Sequence, residues 1–183
     1  MFVRTQRLLL RPGWSQDAPA LFKAIADERI VRNLATAPWP YRLIDAEAWL
    51  ATERKASEPA LLILRCTHGA PELVGGVGFG RLPTGQIEFG YWIAREHWGR
   101  GYATEAGRAV LATARHGLGL KRLDARHFLD NPASGRVLEK LGFRPTGRIA
   151  PFYSAGREEM APCRLFELEL DSEEEVAPEA MAA

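Results

Sequence analysis

Apolar residues run along the chain in short bursts of two kinds, and the change of period between them outlines the elements. Leu8, Leu9 and Leu10 stand together and are halted by Pro12, as in a short strand. Leu21, Phe22 and Ile25 then recur at helical spacing, with Ser15 as the expected N-cap. The "PWPY" stretch (38–41) forces an extended break, because each proline restricts the residue before it. Residues 45–56 predict a second helix with Ala46, Trp49 and Leu50 on one face.

From residue 60 the pattern is that of strands. "ALLILRC" (60–66) is a continuous apolar run, and residues 72–82 and 86–94 flank a "PTGQ" turn, predicting a hairpin. A helix follows with Val110, Leu111, Ala114 and Leu118 on its inner face. Residues 121–130 predict a strand, and 131–143 a helix with Asn131 as cap, Pro132 at the first position and Gly142 just past the end. Two strands close the pattern, "FRPTGRIA" and "PCRLFELEL". The expected fold is α/β, one domain over residues 1–170, with a mixed, mostly antiparallel sheet of about seven strands flanked by about four helices. The Ala-rich, acidic segment 171–183 reads as a disordered tail.

Charge changes the picture only once it is divided. The net +1 hides a tail with five acids and no base, which leaves residues 1–170 with 24 basic and 18 acidic side chains, or +6. That suits an anionic small ligand and is weak for nucleic acid. No apolar run approaches the ~20 residues of a membrane span, and the start is too short in apolar residues for a secretory signal, so the expected location is cytoplasmic. Cys66 and Cys163 fit no metal or redox spacing and read as buried structural thiols; four scattered histidines predict no metal site.

The chemistry concentrates in "EHWGRGYATEA" (96–106), a glycine-bearing turn between a strand and a helix. Such a turn aims free N–H groups and a positive helix end at an anion. Gly99 and Gly101 admit positive φ, Arg100 adds charge, and Ala103 and Thr104 leave the helix entrance uncrowded. A Walker loop is excluded by the lack of any Gly-Lys pair, and the dinucleotide fingerprint by Thr104 where glycine is required. "GGVGFG" (75–80) has the wrong spacing and lies within a strand, where glycine marks a bulge or close packing.

"YWIAREHWGRGYATEA", followed about 25 residues on by "NPASGRVLEKLGF", resembles the GNAT superfamily of N-acetyltransferases, on its ribosomal-protein alanine acetyltransferase (RimJ/RimL-like) branch. The likeness extends over about residues 3–170. It implies an acetyl-CoA-dependent transfer to a primary amine, a protein N-terminus or a small molecule, by direct attack with both substrates bound. The pyrophosphate loop then falls on Trp98, Gly99, Arg100, Gly101, Tyr102 and Ala103, with Thr104 beside it and an N–H near Ile93 facing the thioester carbonyl. The resemblance places Asn131 on the pantetheine arm and Ser134 as proton donor to the leaving thiolate, while Leu138 occupies the position of a tyrosine acid found in many members. The acid is therefore Ser134, a water or Tyr153. Glu88 is the expected base, with His127 as a second candidate, and Gly90 is expected to carry a bulge that splays the strands. A homodimer is compatible with the family, and a non-catalytic acyl-CoA-binding domain is the alternative. Trp14, Trp39, Tyr41 and Trp49 are candidates for an aromatic acceptor wall.

Overall fold

Four consecutive apolar residues, Leu61 to Leu64, are all buried because their strand lies inside a sheet covered on both faces. Leu61 and Ile63 point into one core, Leu62 and Leu64 into the other. The computed structural model describes residues 1–170, so the acidic segment expected as a tail lies outside the described residues.

The elements are β1 (Val3–Arg4), β2 (Leu8–Pro12), α1 (Ala18–Ile25), α2 (Glu28–Val31), α3 (Leu43–Ala51), β3 (Ala60–Arg65), β4 (Glu72–Arg81), β5 (Ile87–Ile93), α4 (Tyr102–His116), β6 (Arg122–Phe128), α5 (Pro132–Lys140), β7 (Arg144–Ser154) and β8 (Glu159–Glu169). They form one sheet of eight strands in the order β1-β2-β3-β4-β5-β6-β8-β7. Every neighbouring pair is antiparallel except β5 and β6, which α4 connects as a crossover. Helices α1, α2 and α3 pack over Leu62 and Leu64. Helices α4 and α5 cover the other face, where Val110, Ala114 and Leu138 meet Phe89, Leu123 and Phe166.

The α/β class and the mostly antiparallel sheet are as expected, with one more strand and one more helix. The two-residue β1 and the four-residue α2 are too short to leave a period in the sequence. Ser15 is not the cap of α1: it opens a 3₁₀ turn in which the Asp17 carboxylate accepts from the Trp14 N–H. Helix α3 stops at Ala51, because Arg54 folds back and its guanidinium donates to the carbonyls of Trp49 and Thr52.

Candidate active site

Strands β5 and β6 pair only where Glu88 stands opposite Asp124. Beyond that point they separate, and a cavity of about 550 Å³ opens between β5, α4 and α5. The separation does not come from a bulge at Gly90, because β5 keeps an unbroken register with β4 from Ile87 to Ile93. The irregularity of this sheet region lies between β3 and β4, at Ile63 and Leu64. The parting of β5 and β6 follows from their different continuations, β5 into the glycine loop and β6 into the turn before α5.

Along the cavity the loop 98–101 joins β5 to α4. Gly99 and Gly101 have φ of +75° and +79°, a region that any side chain would strain. The first intrahelical bond of α4 runs from the Glu105 N–H to the Gly101 carbonyl, so the N–H groups of Tyr102, Ala103 and Thr104 precede the ladder at the positive end of the helix. Ile93, Trp98, Gly99, Gly101, Tyr102, Ala103 and Thr104 all line the cavity. Arg100 does not: it is exposed, and its carbonyl accepts from Arg7. Two braces that the sequence did not suggest hold the loop. The Trp98 indole N–H donates to the Ile93 carbonyl at 2.7 Å. Arg7 also pairs with Glu105 at 2.7 Å and lies over the Tyr102 ring.

Asn131 and Ser134 line the same cavity at the start of α5. The Asn131 carboxamide oxygen accepts from the Ser134 N–H at 3.4 Å, the capping bond expected from its position. The Ser134 hydroxyl accepts from the Tyr91 phenol at 2.9 Å. Burial pushes the Tyr91 phenol up to about 12, so it stays protonated and remains a donor. Tyr91 was legible only as strand alternation, which places it with Phe89 and Ile93 on the face toward α4 and α5.

Glu88 borders this cavity and also a second one of about 560 Å³, between β4, β5 and helices α1 and α3. Its carboxylate lies 2.6 Å from Arg126 of β6. Burial raises the Glu88 carboxyl above the ordinary range, Arg126 opposes the rise, and Asp124 adds to it.

Other expected residues fall differently. Tyr153 is on β7, 53% exposed, and borders neither cavity. His127 lines the first cavity, buried, with Nδ1 2.8 Å from the Phe128 carbonyl and Nε2 against Gly135 of α5. Leu138 is core. Cys163 is buried as expected, and burial pushes its thiol up to about 11; Cys66 is exposed because β3 ends one residue earlier. Tyr41 and Trp49 line the second cavity, Trp14 and Trp39 do not, and Trp92 joins them. Near the loop, His97 is buried with its Nε2 3.4 Å from Glu72 and 3.7 Å from Glu96. No helix among the described residues is long and apolar enough to cross a membrane.

Comparison with known proteins identifies the family. Residues 7–144 match the acetyltransferase (GNAT) domain model. The chain is 32% identical over 157 residues to the uncharacterized N-acetyltransferase YoaA of Bacillus subtilis (strain 168), covering 82% of this chain and 86% of YoaA. Among solved structures, a GNAT-family acetyltransferase from Bacillus anthracis superposes with a TM-score of 0.79 at 22% identity, over 94% of this chain and 100% of that one. The ribosomal L7/L12 α-N-protein acetyltransferase RimL, solved with coenzyme A, gives 0.71 at 18% identity, over 92% of this chain and 98% of RimL. A spermidine N-acetyltransferase from Vibrio cholerae, solved with CoA and spermine, gives 0.73 at 19%, over 91% of this chain and 97% of that one. The three structures share the fold, and the matched model and YoaA carry the assignment: this chain belongs to the GNAT family of acetyl-CoA-dependent N-acetyltransferases, in its RimJ/RimL-like group.

Proposed function

We propose that the chain transfers an acetyl group from acetyl-CoA to a primary amine by direct attack, with donor and acceptor bound together on the two sides of β5. The observation that carries this reading is that Glu88 borders both cavities, at the last paired position of β5 and β6.

Acetyl-CoA would supply the thioester and an anionic pyrophosphate. The loop fits the latter: its glycines hold positive φ, space is open at Gly99, and the leading N–H groups of α4 stand at the cavity. Arg136 and Lys140, one turn apart on α5, line the same cavity and add positive charge. Beyond Glu88, β5 has no strand partner toward β6, and a backbone N–H near Ile93 is assigned to the thioester carbonyl oxygen. Asn131 keeps its amide N–H₂ group for the pantetheine arm, its oxygen being engaged by the cap.

Glu88 takes the proton from the acceptor ammonium, directly or through water, so that a neutral amine attacks. Ser134 gives its hydroxyl proton to the departing thiolate, and the Tyr91 phenol, hydrogen-bonded to that hydroxyl, orients it; Glu88 then releases the acceptor's proton to solvent and Ser134 takes one back, which restores the site. Binding both substrates in adjoining cavities supplies the proximity that the reaction needs.

Calorimetric titration with acetyl-CoA, on the native chain and on Gly101→Glu, tests the donor half. Micromolar binding lost in the variant is expected; equal binding by both proteins would remove the loop from the site. Release of free thiol with an amine acceptor tests the transfer, and its absence with every amine would refute it.

A further inference from the structure

Strand β4 carries a run of glycines that the fold only partly requires. At Gly75 and Gly78 an added Cβ would run into the backbone of Trp92 and of Pro59, and at Gly76 it would meet the Trp92 indole. Those three are explained by close packing. Gly80 and Gly90 are not: a Cβ at either meets nothing within 4 Å, neither has positive φ, and both are exposed. Glycine weakens a strand interior, where a β-branched residue would serve better, so a bare position in open space marks a place where something else approaches the backbone.

The two positions belong to one floor. Gly80 pairs with Glu88, and Gly78 pairs with Gly90, so bare backbone leads across β4 and β5 to the carboxylate assigned as base. Gly80 borders only the second cavity, whose walls include Tyr41, Trp49, Trp92 and Phe79, and Gly90 borders both cavities beside Glu88.

The cavity's charges decide what can lie there. Among the described residues its carboxylates are Asp45 and Glu88, and no lysine or arginine lines it. Asp45 is engaged in the N-terminal turn of α3, accepting from the Arg42 N–H at 2.7 Å, and Glu88 is engaged by Arg126. An acceptor carboxylate would therefore find no cation. It would be desolvated without a partner, which is costly.

On the basis of the acetyl-transfer reading above, we propose that the acceptor is a primary amine without a carboxylate, with a flat, apolar or aromatic body. The body lies on the Gly80–Gly90 floor between Trp92 and Trp49, with its amine at Glu88. A free amino acid is disfavoured by the missing cation, and an acceptor without a flat body by the aromatic walls.

The test uses the full chain with acetyl-CoA and follows thiol release with 2-phenylethylamine, spermidine, lysine and an alanine-started tripeptide. A kcat/KM for 2-phenylethylamine at least tenfold above the other three is expected. Gly80→Val, whose side chain enters open space, should raise KM for 2-phenylethylamine about tenfold and leave the acetyl-CoA Kd from calorimetry unchanged. Preference for spermidine, lysine or the tripeptide would overturn the proposal, as would an unchanged KM in Gly80→Val. The native-protein ranking decides the matter without the variant should Gly80→Val fold poorly. Acetyl-CoA binding without acetylation of 2-phenylethylamine overturns the acceptor class and spares the donor site. Absence of acetyl-CoA binding overturns the underlying reading.

Discussion

The Tyr91 phenol donates to the Ser134 hydroxyl over 2.9 Å and thereby joins the middle of β5 to the first turn of α5. A serine hydroxyl is otherwise a free rotor, and this bond sets where its own proton points. Tyr91→Phe removes the bond and keeps the ring in the core. It should lower kcat about 3- to 10-fold, the kinetic equivalent of one neutral hydrogen bond, with the acetyl-CoA Kd unchanged. Ser134→Ala should cost more, and the double variant should match Ser134→Ala alone. Additive losses in steady-state kinetics would uncouple Tyr91 from Ser134.

Glu88 makes a pH prediction with a definite sign. Burial raises its carboxyl, so the basic form appears only above the ordinary carboxylate range, and kcat/KM should rise with pH through that raised value. Glu88→Gln should remove this limb and lower kcat/KM by about 100-fold. Arg126→Met deletes the cation that opposes the rise, and should move the limb to higher pH. A pH–rate profile of Glu88→Gln that overlays the native one would exclude Glu88 as base.

Trp98 predicts a separation of binding from stability. Its ring is 49% exposed, so little burial is at stake, but its indole N–H ties the glycine loop to the Ile93 carbonyl. Trp98→Phe should weaken acetyl-CoA about 3- to 10-fold by calorimetry. The melting temperature without ligand should hardly move. A large loss of Tm with unchanged Kd would make the indole structural only.

Away from the site, Arg11 and Asp17 form a two-bond ion pair at 2.7 and 2.8 Å, with both side chains nearly buried. The hydrogen bonds from Arg11 hold the Asp17 carboxyl below its ordinary value, despite partial burial. A carboxyl lowered by folding contributes stability above its unfolded pKa and loses it as pH falls through the folded value. Asp17→Asn should therefore cost about 2 kcal/mol near neutrality, and the difference from the native chain should narrow below about pH 4. Chemical denaturation at several pH values measures it; a gap constant with pH would rule out the charge as its source.

Much of this was readable residue by residue. Asn131, Pro132 and Gly142 mark the ends of α5 because capping and positive φ depend on local backbone geometry. The Gly99–Gly101 loop was equally legible, since strand, glycine turn and helix follow one another directly in the chain. What the chain order hid were partners far apart along it. Arg7 braces a loop 93 residues away, Tyr91 meets Ser134 across 43, and Glu88 meets Arg126 on a neighbouring strand. Trp98, legible only as the first residue of the loop, is a hydrogen-bond donor within it.

The glycines show the same division at closer range. Sequence marks "GGVGFG" as a strand interior with close approach somewhere along it, because period and residue type are local properties. Which of those glycines are packed and which are left bare depends on what stands opposite each Cβ position. Pro59 and Trp92 fill that space at Gly75, Gly76 and Gly78, and nothing fills it at Gly80 and Gly90. Elements, caps and the phosphate loop are determined within a few residues of chain, where backbone sterics act. The two cavities meeting at Glu88 exist only once β5 and β6 part and helices from both ends of the chain close over the sheet, so only the tertiary structure decides them.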